Sequence, residues 1–146
     1  TIILDNRTTA MTGHNENPGS GKTLDGAAAP AIDYRALVQA LGVDFAVTVD
    51  PYDVDKFRKA VEMALEHPGP AVVIARRACA LLDKKRRFKP FRVHKDLCTG
   101  CMACMRLGCP AIEKDGKKSS INPEQCVGCG LCEGVCKFSA IGRESE

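Results

Sequence analysis

Short, nearly unbroken apolar runs alternate with helical periodicity over the first 80 residues. Ile2-Ile3-Leu4 predicts the end of a buried strand. Asp33 predicts a helix cap, with Tyr34, Leu37, Val38 and Leu41 following at i, i+3, i+4 and i+7, and Gly42 predicts the stop. Residues 45–49 predict a second strand. Asp53 predicts a second cap, with Val54, Phe57, Val61, Ala64 and Leu65 on one helical face, ended by His67-Pro68-Gly69. Residues 71–75 predict a third strand. Apolar strands alternating with helices predict a parallel sheet buried on both faces, an α/β fold. Three strands and two helices leave sheet edges and faces uncovered, and Thr1 leads straight into an apolar run. The chain therefore reads as a fragment of a longer polypeptide.

Composition adds a second, smaller part. Eight of the nine cysteines lie in the last third of the 146 residues. The division expected is 1–83, a basic linker over 84–91, and a cysteine-rich domain over 92–146. The linker, Lys84-Lys85-Arg86-Arg87-Phe88-Lys89-Pro90, reads either as a solvated spacer or as a docking strip for an acidic partner. A net charge of +3 implies no nucleic-acid partner, and no run of about 18 apolar residues predicts a membrane span.

The cysteines form two near-copies of one pattern. The first is Cys98-x2-Cys101-x2-Cys104-x4-Cys109-Pro110 and the second is Cys126-x2-Cys129-x2-Cys132-x3-Cys136. The first three cysteines of each copy are offset by 28 positions and the fourth pair by 27. Such spacing lets three thiolates wrap one face of an iron–sulfur cubane. Zinc knuckles need no third cysteine two residues on, and a disulfide framework needs an oxidising compartment. Roughly residues 92–143 resemble the bacterial two-cluster ferredoxin domain. In that family the fourth cysteine of each copy ligates the other cluster. The resemblance implies two 4Fe-4S clusters: one on Cys98, Cys101, Cys104 and Cys136, the other on Cys126, Cys129, Cys132 and Cys109. Cys136 is followed by Lys137 where proline is usual, which implies an extra N–H and a positive charge beside one cluster.

Asp5-Asn6 stands at the carboxyl end of the first strand, where ligands sit in open α/β sheets. An apolar strand followed by an acidic or amide residue and then Asn resembles the second half of the thiamine diphosphate motif. By that resemblance the Asn6 side-chain oxygen and the Thr8 carbonyl hold Mg2+, which bridges to the diphosphate. The stretch from Leu4 to His14, then Pro18-Gly19, together with 72–82 and the x4 spacing before Cys109-Pro110, resembles the alpha subunits of indolepyruvate ferredoxin oxidoreductases. The resemblance covers essentially the whole chain. It implies a partial thiamine diphosphate-binding fold of the α/β parallel-sheet type, followed by a small α+β bacterial-ferredoxin-like domain. It further implies cofactor contacts at Asn6, Thr8, Thr12 and Gly13 and a catalytic His14, with Asn15 a weaker candidate. The Gly-Asp half of the motif would precede Thr1.

The activity so implied is oxidative decarboxylation of an arylpyruvate to an acyl-coenzyme A, with electrons leaving through the clusters to an external ferredoxin. A beta subunit would be the partner and the cytoplasm the location. A pure electron-transfer module, and an oxidoreductase for pyruvate or branched-chain 2-oxoacids, are the alternatives. Gly19-Ser20-Gly21-Lys22-Thr23 ends like a phosphate loop, but Glu16 stands where the pattern needs glycine. Asn6-Arg7-Thr8 spells a glycosylation acceptor, which does not suit an iron–sulfur protein. Cys79 stands outside both cysteine copies and reads as a buried free thiol.

Overall fold

The computed structural model describes residues 1–82 and 89–143. The chain divides into two compact units, Thr1–Leu82 and Asp83–Glu146. Most of the basic linker, 84–88, lies outside the described residues.

The first unit is a three-stranded parallel sheet in the order β1-β3-β2, from β1 (Ile2–Asp5), β2 (Phe45–Val49) and β3 (Ala71–Arg76). Helix α1 (Tyr34–Ala40) connects β1 to β2, and α2 (Val54–Glu66) connects β2 to β3. The chain passes beyond β3 to reach β2 and then returns, so right-handed crossovers put the two helices on opposite faces. The central strand shows the consequence: Val73 and Ile74 are essentially inaccessible, although their side chains point to opposite faces. Burying each is worth about 1.5–3 kcal/mol.

Both predicted caps form. Asp33 accepts from the N–H groups of Arg35 and Ala36, and Asp53 from that of Lys56. The helical faces are narrower than the apolar periodicity suggests. Val38 is buried, with Tyr34 packed beside it against Ala46, Val72 and Ile74, while Leu41 is exposed. On α2 the buried residue is Ala60, and Leu65 points to solvent. A three-stranded sheet covers only the middle of each apolar stripe.

The second unit is built from two short antiparallel ladders. The first joins β4 (Arg92–Val93) to β7 (Ile141–Gly142), and the second joins β5 (Ile112–Asp115) to β6 (Lys118–Ile121). A five-residue helix, α3 (Leu131–Val135), and a 3-10 turn over Ala103–Leu107 carry cysteines between them. Each sequence copy runs strand, cysteine motif, strand, and each ladder pairs a strand of one copy with a strand of the other. The core holds Phe91, Ile112 and Ile141 together with Cys104 and Cys132, with Cys109, Cys126 and Cys136 packed against it. Phe91, the last residue of the 84–91 stretch expected to be linker, is instead among the most buried residues of this unit. A unit this small has little apolar core of its own, and at such sizes bound metal commonly supplies the missing stability.

Candidate functional site

Strand pairing delivers the sulfurs in crossed sets. β4 leads into Cys98, and its ladder partner β7 follows Cys136, so Cys136 arrives beside the first motif. β6 leads into Cys126, and its partner β5 follows Cys109. Accordingly Cys98, Cys101, Cys104 and Cys136 line one cavity, with Ser119, Met102 and Phe138. Cys109, Cys126, Cys129 and Cys132 line another, with Phe91, Pro110 and Leu131.

The donor sets fit iron–sulfur clusters: four thiols per cavity, with hydrogen-bond donors already directed at several sulfurs. Among the described residues no three Cys, His, Asp or Glu side chains close on a single-ion site. The first cavity is about 20 Å3 and the second about 250 Å3. In the first, the Cys104 thiol donates to Ser119 Oγ at 3.4 Å. Loading that cavity requires the thiol protons to leave, as metal binding to cysteine always does.

The surroundings of the sulfurs differ. The N–H of Ser119 holds the Cys98 thiol below its ordinary value, aided by the Gly100 N–H, the Ser119 hydroxyl and the Lys118 charge. Cys136 Sγ accepts from the Ala140 N–H at 3.3 Å, and Lys137, next in the chain, is exposed. Burial, then the neighbouring Cys129 and Cys126, pushes Cys132 up to about 11. Cys126 Sγ accepts from the Phe91 N–H at 3.4 Å. Gly100 allows the first motif to touch the β5–β6 turn: its φ is +75°, and a Cβ there would overlap the Lys117 carbonyl oxygen.

In the first unit, the expected cofactor residues gather at the carboxyl edge of the sheet. Residues Leu4 to Met11, with Asn17 and Tyr34, line an open concavity of about 470 Å3. Asn6 and Thr8 belong to it, but Thr12, Gly13 and His14 do not line it. Asn6 Oδ1 accepts from the Thr8 N–H at 3.2 Å, which leaves a lone pair of that oxygen for a hard cation. Thr8 is buried, and its hydroxyl donates to the Asn15 carbonyl. Asn15 Nδ2 donates to both the carbonyl and the hydroxyl of Thr12, so Asn15 shapes the loop. His14 adopts a left-handed backbone, φ 62°, directly after Gly13. Its Nε2 lies 3.9 Å from Cys79 Sγ, and the Cys79 N–H donates to the Asn6 carbonyl.

Sequence reading passed over three features, of which the partners of Asp5 are the first. Asp5, nearly inaccessible, is clamped by Arg76 Nε at 2.8 Å and Arg7 Nε at 3.6 Å, which locks the β1 end to β3. Ser119 and Phe91 are the others. Their signal was available, because they stand 28 residues apart, the offset of Cys98 and Cys126. In the glycine-lysine stretch 19–23, Gly19 to Gly21 form a turn and Lys22 bridges to Ala28, with no helix directly after.

The open strand edge belongs to a parallel α/β unit, and the paired thiol cradles to a small domain of two cysteine copies. The chain belongs to the thiamine pyrophosphate enzyme family, whose C-terminal TPP binding domain matches residues 1–75. A 4Fe-4S dicluster domain matches residues 91–137. Over 99% of its length the chain is 42% identical to the indolepyruvate oxidoreductase subunit IorA of Pyrococcus abyssi. The corresponding subunit of Archaeoglobus fulgidus is 42% identical over 96% of the chain. The pyruvate synthase subunit PorD of Thermotoga maritima is 40% identical over 37% of the chain and 57% of its own length. The chain spans about a quarter (24%) of the Pyrococcus relative. No solved structure matches it. Among the described residues no helix is long and apolar enough to cross a membrane.

Proposed function

We propose that the chain is part of the thiamine-bearing subunit of a 2-oxoacid ferredoxin oxidoreductase acting on arylpyruvates such as indolepyruvate. An arylpyruvate anion and coenzyme A become an acyl-coenzyme A, CO2, a proton and two electrons. The electrons leave singly through two 4Fe-4S clusters to an external ferredoxin. A beta subunit completes the enzyme, which works in the cytoplasm. The observation that carries this reading is the presence, in one chain, of a thiamine-family strand edge and two four-thiol cradles.

Thiamine diphosphate supplies an electron sink for decarboxylation when bound. The chain's own residues prepare its place. Asn6 Oδ1 and the Thr8 carbonyl would offer oxygen ligands to Mg2+, while Thr12 and Gly13, outside the concavity itself, would act on the cofactor through the loop that Asn15 ties. The Asp5–Arg76 pair keeps the strand end rigid. His14, held by its left-handed backbone and its contact with Cys79, hydrogen-bonds the substrate carboxylate. The likeness to a pyruvate synthase subunit favours pyruvate as the second substrate to try.

In the holoenzyme, Asn6→Ala should weaken Mg2+-thiamine diphosphate binding roughly tenfold or more, the loss of about 1.4 kcal/mol, with iron content unchanged. His14→Ala should lower turnover with cofactor still bound. Unchanged cofactor affinity in the first variant, or unchanged turnover in the second, removes that residue from the site. Relative kcat/KM for indolepyruvate and pyruvate decides the substrate.

A further inference from the structure

The two cysteine copies are aligned by their 28-residue offset, and this alignment pairs Phe91 with Ser119. The two residues hold corresponding places in space as well. Each precedes its own copy's first cysteine by seven positions, and each lies beside that same position of the other copy. The Phe91 N–H points at Cys126 Sγ, and Ser119 lies beside Cys98 Sγ. The places correspond, and the side chains differ. In the second cavity the position carries an aromatic ring, and in the first a hydroxyl.

That hydroxyl is enclosed. Ser119 is 3% exposed, and its Oγ lies 3.4 Å from Cys104 Sγ and 3.9 Å from Cys98 Sγ. The Cys104 thiol donates to it. A sulfur bound to iron has no proton, so the polarity must reverse and the hydroxyl must donate. Reduction adds one negative charge to a cluster, and a donor aimed at its sulfurs stabilises the reduced form more than the oxidised one.

We propose that the Ser119 hydroxyl raises the reduction potential of the cluster held by Cys98, Cys101, Cys104 and Cys136 above that of its partner, making it the collecting site for electrons. The inference rests on the reading of both cavities as 4Fe-4S sites. One electron leaves the second cluster, which is oxidised, and enters the first, which is reduced. Ser119 keeps its proton throughout. Among the side chains lining the first cavity, Ser119 is the one that brings a hydroxyl to two of the four sulfurs. Ser119 is a positioning donor and not a ligand.

The test is a redox titration of the cluster-loaded holoprotein, followed by electron paramagnetic resonance after iron and sulfide analysis. Ser119→Ala should leave iron content unchanged. It should lower the reduction equilibrium constant of one cluster about tenfold, near 59 mV for a one-electron couple. The affected cluster should be the one that survives Cys109→Ser. Ser119→Thr should restore the potential. If Ser119→Ala does not load, the matched pair Ser119→Thr and Ser119→Val decides, since only the former keeps the hydroxyl in the same shape. Equal potentials in that pair, an unshifted Ser119→Ala, or a shift confined to the other cluster overturns the proposal. Stoichiometric zinc in place of iron in the unmutated protein instead overturns the cluster reading on which it stands.

Discussion

The two thiol cradles descend from near-copies of one sequence, yet they surround their sulfurs differently. In the first, polar groups converge: the Ala140 N–H on Cys136, and the Ser119 hydroxyl, which accepts from Cys104 and lies 3.9 Å from Cys98, a thiol held low by Ser119, Gly100 and Lys118. In the second, the Phe91 ring, Leu107, Val127 and Leu131 form an apolar wall, with the Phe91 N–H reaching Cys126. Cys98 is held low by hydrogen bonds, and Cys132 is pushed up to about 11 by burial. Ligand spacing answers to the geometry of the group bound, so both copies keep it. The surroundings answer to whichever residue the opposite strand presents, and those residues differ.

Cysteine exchange across the copies carries the largest expected effect. Cys109→Ser should lower iron from about eight atoms to about four and erase the signals of the second cluster, sparing the first. Cys136→Ser should do the converse. Loss of the nearer cluster in sequence, in either variant, would break the crossed grouping.

Glycine substitution separates the cradles more gently. Gly100→Ala places a Cβ against the Lys117 carbonyl at a left-handed φ of +75°. It should cost about 1–3 kcal/mol and speed chelator-driven loss of the first cluster. Gly134→Ala, in α3 of the second copy, meets nothing within 4 Å. It should be neutral or stabilise by about 0.5–1 kcal/mol, because alanine is the better helix former. Equal effects of the two would mean that the close approach at Gly100 does not shape the first cradle.

The smallest effect belongs to Arg143. Its guanidinium lies 5.0 Å from the Phe91 ring centre and donates to the Gly128 carbonyl. Arg143→Ala should weaken the second cradle by about 0.5–1 kcal/mol, read as a slightly faster loss of that cluster alone. A change in the first cluster instead would relocate the arginine's influence.

Local features were legible in the chain itself. The caps at Asp33 and Asp53, the three apolar strands and the stop after Glu66 are decided by residues a few positions apart, and they form where periodicity places them. The spacing within each cysteine copy is equally local. Which face of α2 packs was less legible, because Ala60 and Leu65 exchange roles once a narrow sheet limits the covered stripe. The Asp5–Arg76 clamp spans 71 positions, and the Phe91–Cys126 contact spans 35. The partners of Ser119 were similarly hidden, since the hydroxyl meets Cys98 and Cys104 only after β6 has paired with β5. Periodicity within a chain specifies which residues turn inward. Strand pairing, a choice distributed over the whole unit, decides what they meet there, and so the chemistry around each sulfur belongs to the tertiary structure.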